Sequence, residues 1–197
     1  VKTSIFYIND VHANFSNFPV IKSASDSFDS KKTSPDVNKL KFSSGDFCLG
    51  QEKKTNKLAI AIQNSMGIMA AAMGNHEFDL NKTELTEVLK DNKCKLLGIN
   101  LEIPPTSKEN LEISKNIEKS YIEERNGTKY GIIGLLPFDF HSHVTDNEEY
   151  GDFKILPLEK TIPLIQQEIE KFKEQGVNKI ILISHVGNND DIKIAQS

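Results

Sequence analysis

A chain of 197 residues, 38% of them apolar and 26% charged, is long enough to bury a substantial core. It is neither supercharged nor as poor in apolar residues as a disordered chain. A net charge of -4 argues against a nucleic-acid scaffold, which would present a basic surface. No run of about 18 apolar residues occurs, so nothing reads as a membrane-spanning helix. Cys48 and Cys94 are too few for a disulfide framework and leave only a single bridge open.

The elements alternate between strand and helix. Ser4 to Ile8 is an apolar run that stops at Asn9-Asp10, as a buried strand ending in a turn would. Phe18 to Phe28 predicts a short helix with Pro19 in its first turn, and Ser30 to Val37 an exposed loop. Leu40 to Phe42 leads a second strand into Ser43-Ser-Gly-Asp46. Leu58, Ala59 and Ile62 predict the inner face of a helix over Thr55 to Asn64, and Ile68 to Met73 a short strand that ends at Gly74-Asn75-His76. Leu85, Val88 and Leu89 share one face of a helix over Thr83 to Asn92, and Leu96 to Leu101 reads as one strand before Pro104-Pro105.

Ser120 to Glu124 and Tyr130 to Leu136 form a hairpin around Asn126-Gly127. Leu158, Ile162, Ile165, Ile169 and Phe172 mark an amphipathic helix closed by Gly176, with Pro163 placing its start near Thr161. Lys179 to Ser184 reads as a buried strand stopping at His185. With no internal repeat and no linker, the pattern is one α/β domain containing a hairpin.

Four strand ends carry the chemistry: Asp10-Val-His12, Gly45-Asp46, Gly74-Asn-His-Glu-Phe-Asp79 and Ser184-His185. In α/β sheets, ligands bind outside the carboxyl ends of the strands, so these residues converge on one rim. Carboxylate, amide and imidazole donors without thiolate suit divalent ions such as Zn, Mn, Fe, Co or Mg. Asp10 and His12, two apart on an extended chain, point the same way, and a carboxylate such as Asp46 can bridge two ions. Taken singly, Asp10 and Asp46 are also common turn residues, and Asp79 can cap the helix near Thr83.

In this order and form, the four motifs resemble those of the calcineurin-like metallophosphoesterases, and Gly-Asn-His-Glu-Phe-Asp is most similar to the 5'-nucleotidase branch. The resemblance runs from the first strand to the last. It implies a four-layer α/β/β/α sandwich and hydrolysis of phosphate esters, most of all nucleotides, by a metal-bound hydroxide. Two divalent ions would be the cofactors. Asp10 and His12 would hold one ion, Asp46 would bridge both, and Asn75 and His185 would hold the second. His76 would stabilise the transition state or protonate the leaving oxygen, oriented by Asp79. The partner would be a small phosphate ester rather than a nucleic acid or a membrane span. The location would be periplasmic, cell-surface or secreted. A 2',3'-cyclic-nucleotide phosphodiesterase or another phosphomonoesterase would use the same site, and a scaffold with a degraded metal site is the non-enzymatic alternative.

The sequence also departs from the family pattern. A further Gly-His-x-His motif does not occur before Ser197, which implies that residues 1–197 are a C-terminally incomplete catalytic domain, without the nucleotide-specificity domain and weak or inactive alone. His141-Ser-His143 has the His-x-His spacing but no preceding glycine, and reads as a polar loop near the rim. Ala13-Asn14 replaces the Gly-His of many relatives. Glu77 reads as structural, Cys48 and Cys94 as buried thiols. Arg125, the one arginine, offers no phosphate clamp.

Overall fold

The computed structural model describes residues 1–144 and 148–197. In chain order its elements are β1 (Lys2–Ile8), α1 (Phe18–Ser30), β2 (Val37–Ser43), α2 (Lys53–Ser65), β3 (Ala70–Ala72), a 3-10 turn (His76–Phe78) and α3 (Lys82–Leu89). Then come β4 (Lys95–Leu97), β5 (Leu101–Glu102), α4 (Lys108–Asn116), β6 (Ile117–Glu118), β7 (Ser120–Arg125), β8 (Thr128–Leu135) and α5 (Phe140–His143). The chain closes through β9 (Lys154–Ile155), α6 (Leu158–Glu174), β10 (Lys179–Ser184) and α7 (Asn188–Ala195).

Two sheets build the molecule. Five parallel strands run in the order β1-β2-β3-β4-β6, and three run in the order β10-β8-β7, while β5 and β9 form a separate antiparallel pair. Because side chains alternate across a strand, each sheet buries both faces. Leu40, Phe42, Ala70, Ala72 and Leu97 of the larger sheet meet Tyr130, Ile132 and Ile183 of the smaller one. On its other face the larger sheet packs Ala71 and Leu96 against Phe18, Ile60, Leu85 and Ile113, one from each of α1 to α4. The outer face of the smaller sheet sets Ile133 and Leu135 against Ile165 and Phe172 of α6 and Ile194 of α7. These are four layers, α/β/β/α, as expected.

The hairpin and α1 form as predicted. Asn126 and Gly127 both have positive φ, 48° and 71°, the geometry a two-residue turn needs to match strand twist. Pro19 lies in the first turn of α1, where its missing N–H costs nothing.

Other elements correct the sequence reading. Leu96 to Leu101 is not one strand. The chain leaves the large sheet after Leu97, and buried Asn100 exchanges two hydrogen bonds of 2.9 Å with the backbone of Leu136. The inner face of α2 is Asn56, Ala59, Ile60 and Gln63, and Leu58 points outward. α6 starts at Leu158 rather than near Thr161. Buried Thr161 donates its hydroxyl to the carbonyls of Leu156 and Pro157, holding a first turn that the Pro163 ring leaves intact. The terminal strands β1 and β10 are sheet edges and only partly covered, with Tyr7 65% exposed and only Ile183 of β10 fully buried. Both cysteines are free and buried.

Candidate metal centre

Parallel pairing brings the strand ends to one rim. In the β1–β2 register Ile8 faces Ser43, and Ser43 also pairs with Ala71 of β3. Past these ends the loops stay stitched together. Asp10 N–H donates to the Gly45 carbonyl at 3.1 Å, His12 N–H to Asp46 at 2.9 Å and Ala13 N–H to Phe47 at 2.9 Å. His185, at the end of β10, arrives from the other sheet and donates its own N–H to the Leu135 carbonyl.

Two glycines permit this convergence. Gly45 has φ +105°, and a Cβ there would lie 2.6 Å from the Gly74 nitrogen. A Cβ on Gly74 would lie 2.1 Å from Asp46 Oδ1. The backbones therefore touch where any side chain would hold them apart. Asp10, His12 and Asp46 also adopt left-handed backbone, with φ of 51°, 52° and 52°. Non-glycine residues avoid this region at a cost of about 1–2 kcal/mol each.

Asp46 lies at the centre. Its Oδ2 is 3.2 Å from His12 Nε2 and 3.1 Å from His185 Nε2, and its Oδ1 accepts the His76 backbone N–H at 3.0 Å. Asp10 Oδ1 lies 3.6 Å from His12 Nε2 and 4.0 Å from His185 Nε2. Two groups of donor atoms thus share the Asp46 carboxylate: His12, Asp46 and His76 in one, Asp10, Asp46 and His185 in the other, each within a 4.8 Å span. The half-buried Asn75 lies beside them as the residue leading into the 3-10 turn, and its side chain makes no capping bond.

Burial alone would disfavour the Asp46 carboxylate. The hydrogen bond and charge of His185, the His76 amide and the His12 ring outweigh it, and its pKa lies at about 2. Burial likewise opposes a charge on His185, but Asp46 and the Ser44 carbonyl raise it to about 9. The 2.8 Å bond from His185 Nδ1–H to the Ser44 carbonyl fixes which nitrogen faces the centre: Nε2.

His76 and Asp79 form a second unit. His76 Nδ1 is 2.8 Å from Asp79 Oδ2, and the same carboxylate oxygen accepts the Gly50 N–H at 2.7 Å. The His76 ring meets the His12 ring edge-on, with centroids 4.9 Å apart. Asp79 does not cap α3. Asn81 does, its Oδ1 accepting the Glu84 N–H, because the chain needs two further residues to turn into the helix. His141 and His143 lie on the one-turn α5. His141 Nε2 is 3.0 Å from the Phe153 carbonyl and His143 pairs with Asp139, so both stand outside the donor groups formed among the described residues. Burial pushes both thiols up, Cys94 to about 12, which removes them as nucleophiles.

Two contributors escape a motif reading. Asn56 of α2 accepts the Leu49 N–H and donates to the Gly50 carbonyl, bracing the loop that reaches Asp79. Phe78, fully buried inside the Gly-Asn-His-Glu-Phe-Asp motif, sits edge-on against Phe140, Tyr150 and Phe153, and Tyr150 donates its hydroxyl to the Leu80 carbonyl. An aromatic among small polar neighbours was the available signal for Phe78. Asn56 offered none.

No family model matches the chain. It is 34% identical over 137 residues to the NAD 5'-nucleotidase of Haemophilus influenzae, an overlap covering 69% of this chain and 21% of that protein. It is 27% identical over 138 residues to a cell wall protein of Listeria monocytogenes, covering 64% of this chain and 17% of that one. Among solved structures, the NAD nucleotidase of Haemophilus influenzae superposes with a TM-score of 0.77 at 25% identity, over 99% of this chain and 36% of that one. The chain therefore spans only about a sixth to a third of these relatives' length. Sequence and fold agree that the chain is a member of the 5'-nucleotidase group of calcineurin-like phosphoesterases, homologous to their N-terminal metallophosphoesterase domain.

Proposed function

We propose that the chain is the metal-dependent phosphoesterase module of a hydrolase acting on nucleotides. The observation that carries this reading is the shared carboxylate: one Asp46 side chain reaches two separate donor groups. The donors fit a pair of divalent ions, being oxygen and imidazole without thiolate. By the family pattern Asp10 and His12 would hold one ion and Asn75 and His185 the other, with Asp46 between them, whereas the donor atoms as they stand group His12 with His76 and Asp10 with His185 around Asp46. When bound, such a pair supplies Lewis acidity, bringing the pKa of water toward about 7 and neutralising phosphate oxygens.

The remaining roles fall to the chain's own groups. His185 would hold an ion through a deprotonated Nε2, with Nδ1 anchored on the Ser44 carbonyl. Asp79 holds the His76 ring by Nδ1, so the Nε2 face is the one that carries a proton to the leaving oxygen. The His76 side chain is 27% exposed, enough to meet a substrate, whereas Asp79 is sealed behind it. The nucleotide assignment rests on the relatives alone, as does a location at the cell surface or outside the cell, for which the Listeria cell wall protein is the support.

Calorimetric titration with Mn2+, paired with turnover of a nucleoside 5'-monophosphate, tests the reading. Two sites are expected, and Asp46→Asn abolishes both. Loss of one site alone refutes the bridge. A 2',3'-cyclic nucleotide turned over faster than the monophosphate would move the assignment to a phosphodiesterase. Absence of both binding and turnover would leave the scaffold.

A further inference from the structure

The rim includes one carboxylate that faces away from the donor groups. Glu77 is 9% exposed and reaches backward from the 3-10 turn. Its Oε2 accepts the Asp46 N–H at 2.9 Å and the Gly74 N–H at 2.7 Å. Its Oε1 accepts the Phe47 N–H at 2.7 Å and the Cys48 N–H at 3.1 Å. Four amides from two loops thus converge on one side chain. Every one is a donor, so both oxygens serve as acceptors, and these bonds oppose the upward push that burial and the Asp46 charge give its pKa.

The convergence has a geometric purpose. Asp46 is held at a left-handed φ that an unconstrained aspartate leaves readily, and the two residues after it carry the chain away from the rim. Gly74 must stay within contact distance of Asp46. Nothing in β2 or β3 enforces either condition, because the β2–β3 pairing ends with Ser43 and Ala71. Glu77 bridges that gap.

We propose that Glu77 is a positioning residue for the metal centre, a buried side chain whose four amide contacts set the conformation in which Asp46 can face both donor groups. This rests on the metal-dependent reading above and adds to it the residue that preorganises the bridging ligand. Outer groups of this kind typically change metal affinity by about 10–100-fold.

The test uses two variants. Glu77→Gln keeps the shape but turns an N–H2 toward two of the four donors. Glu77→Asp keeps the charge but is one methylene too short to span both loops. Amide hydrogen exchange in chelator is expected to quicken at least tenfold at Asp46, Phe47, Cys48 and Gly74 in both variants, with Leu40 and Ile132 unchanged. Calorimetry with Mn2+ well below the unfolding temperature is expected to show at least a tenfold loss of affinity in both, because glutamine cannot accept all four amides and aspartate cannot reach both loops. Unchanged exchange at the four amides overturns the proposal. So does faster exchange with wild-type affinity, which would make Glu77 structural only, and so does full recovery in Glu77→Asp, which would make it an electrostatic partner. If the wild-type chain binds no Mn2+, the metal reading fails, and the exchange measurement alone then decides whether Glu77 sets the loops.

Discussion

Replacing Gly74 by alanine is the sharpest single test of how the centre is built. The added Cβ would sit 2.1 Å from Asp46 Oδ1, 2.7 Å from its nitrogen and 2.8 Å from its Cγ. Carbon and oxygen do not approach within 3.0 Å without displacement, so the carboxylate must retreat by roughly 1 Å. The Oδ1 bond to the His76 amide, now 3.0 Å, would then stretch beyond hydrogen-bonding range. Losing a hydrogen bond to a charged acceptor costs about 1.5–3 kcal/mol, and overpacking a filled site adds about 1–3 kcal/mol. Partial relaxation leaves an expected loss of about 2–4 kcal/mol. The backbone of Gly74 is not left-handed, so this cost is steric. Gly127→Ala is the control, since its φ of +71° is strained for alanine but no atom lies within 4 Å of the new Cβ. It should cost about 1 kcal/mol. Urea unfolding in chelator gives both numbers, and Mn2+ titration should show binding lost in Gly74→Ala and kept in Gly127→Ala. If the two variants lose equal stability and Gly74→Ala binds Mn2+ normally, Gly74 and Asp46 do not meet as described.

Further predictions follow from the same contacts. With metal removed, His185 keeps its proton in the folded state up to about pH 9 but loses it near 6.5 when unfolded. Its contribution is therefore complete below pH 6.5 and lost as pH rises through 9. Linkage makes this about 3 kcal/mol, and His185→Gln should flatten the decline in urea-derived stability across that window. A wild-type curve flat from pH 6.5 to 9 would contradict the pairing with Asp46. Mn2+ should show the opposite trend, binding more tightly as pH rises, with proton release visible as a dependence of the titration heat on buffer ionisation enthalpy. Tyr150→Phe removes one hydroxyl bond to the Leu80 carbonyl and should cost about 1 kcal/mol, while Phe78→Ala, emptying the centre of three edge-on rings, should cost about 3–5 kcal/mol. Equal effects in thermal unfolding would mean the rings do not surround Phe78.

The alternation of strands and helices and the rim were legible because both depend on local signals, whereas the four-layer order came from the family resemblance. Strands broke at glycine and acid, and helices showed their apolar face every three or four residues. What stayed hidden was set by distant partners. Leu96 to Leu101 has the apolar content of one strand. The break after Leu97 comes from Asn100 binding the backbone of Leu136, 36 residues away. Asn56 and Gln63 line the buried face of α2 although their polarity argues the reverse. Asn56 is there because the loop at Leu49–Gly50 has backbone groups to satisfy. The half-exposure of β10 follows from its edge position in the smaller sheet, which hydrophobicity does not encode. At the site, residue types and order could be read directly and the resemblance implied the shared position of Asp46, whereas the reach of Glu77 needed coordinates.

The left-handed backbone at Asp10, His12 and Asp46 has a consequence for how such a sequence changes under selection. Glycine fits that conformation freely, so Asp10→Gly, at an exposed position, should raise the stability of the metal-free chain by about 1 kcal/mol while deleting a donor. A library screened for heat resistance alone would drift toward glycine at the rim and discard its chemistry first. Only a screen that also rewards ligand binding would keep aspartate and histidine where the backbone resists them.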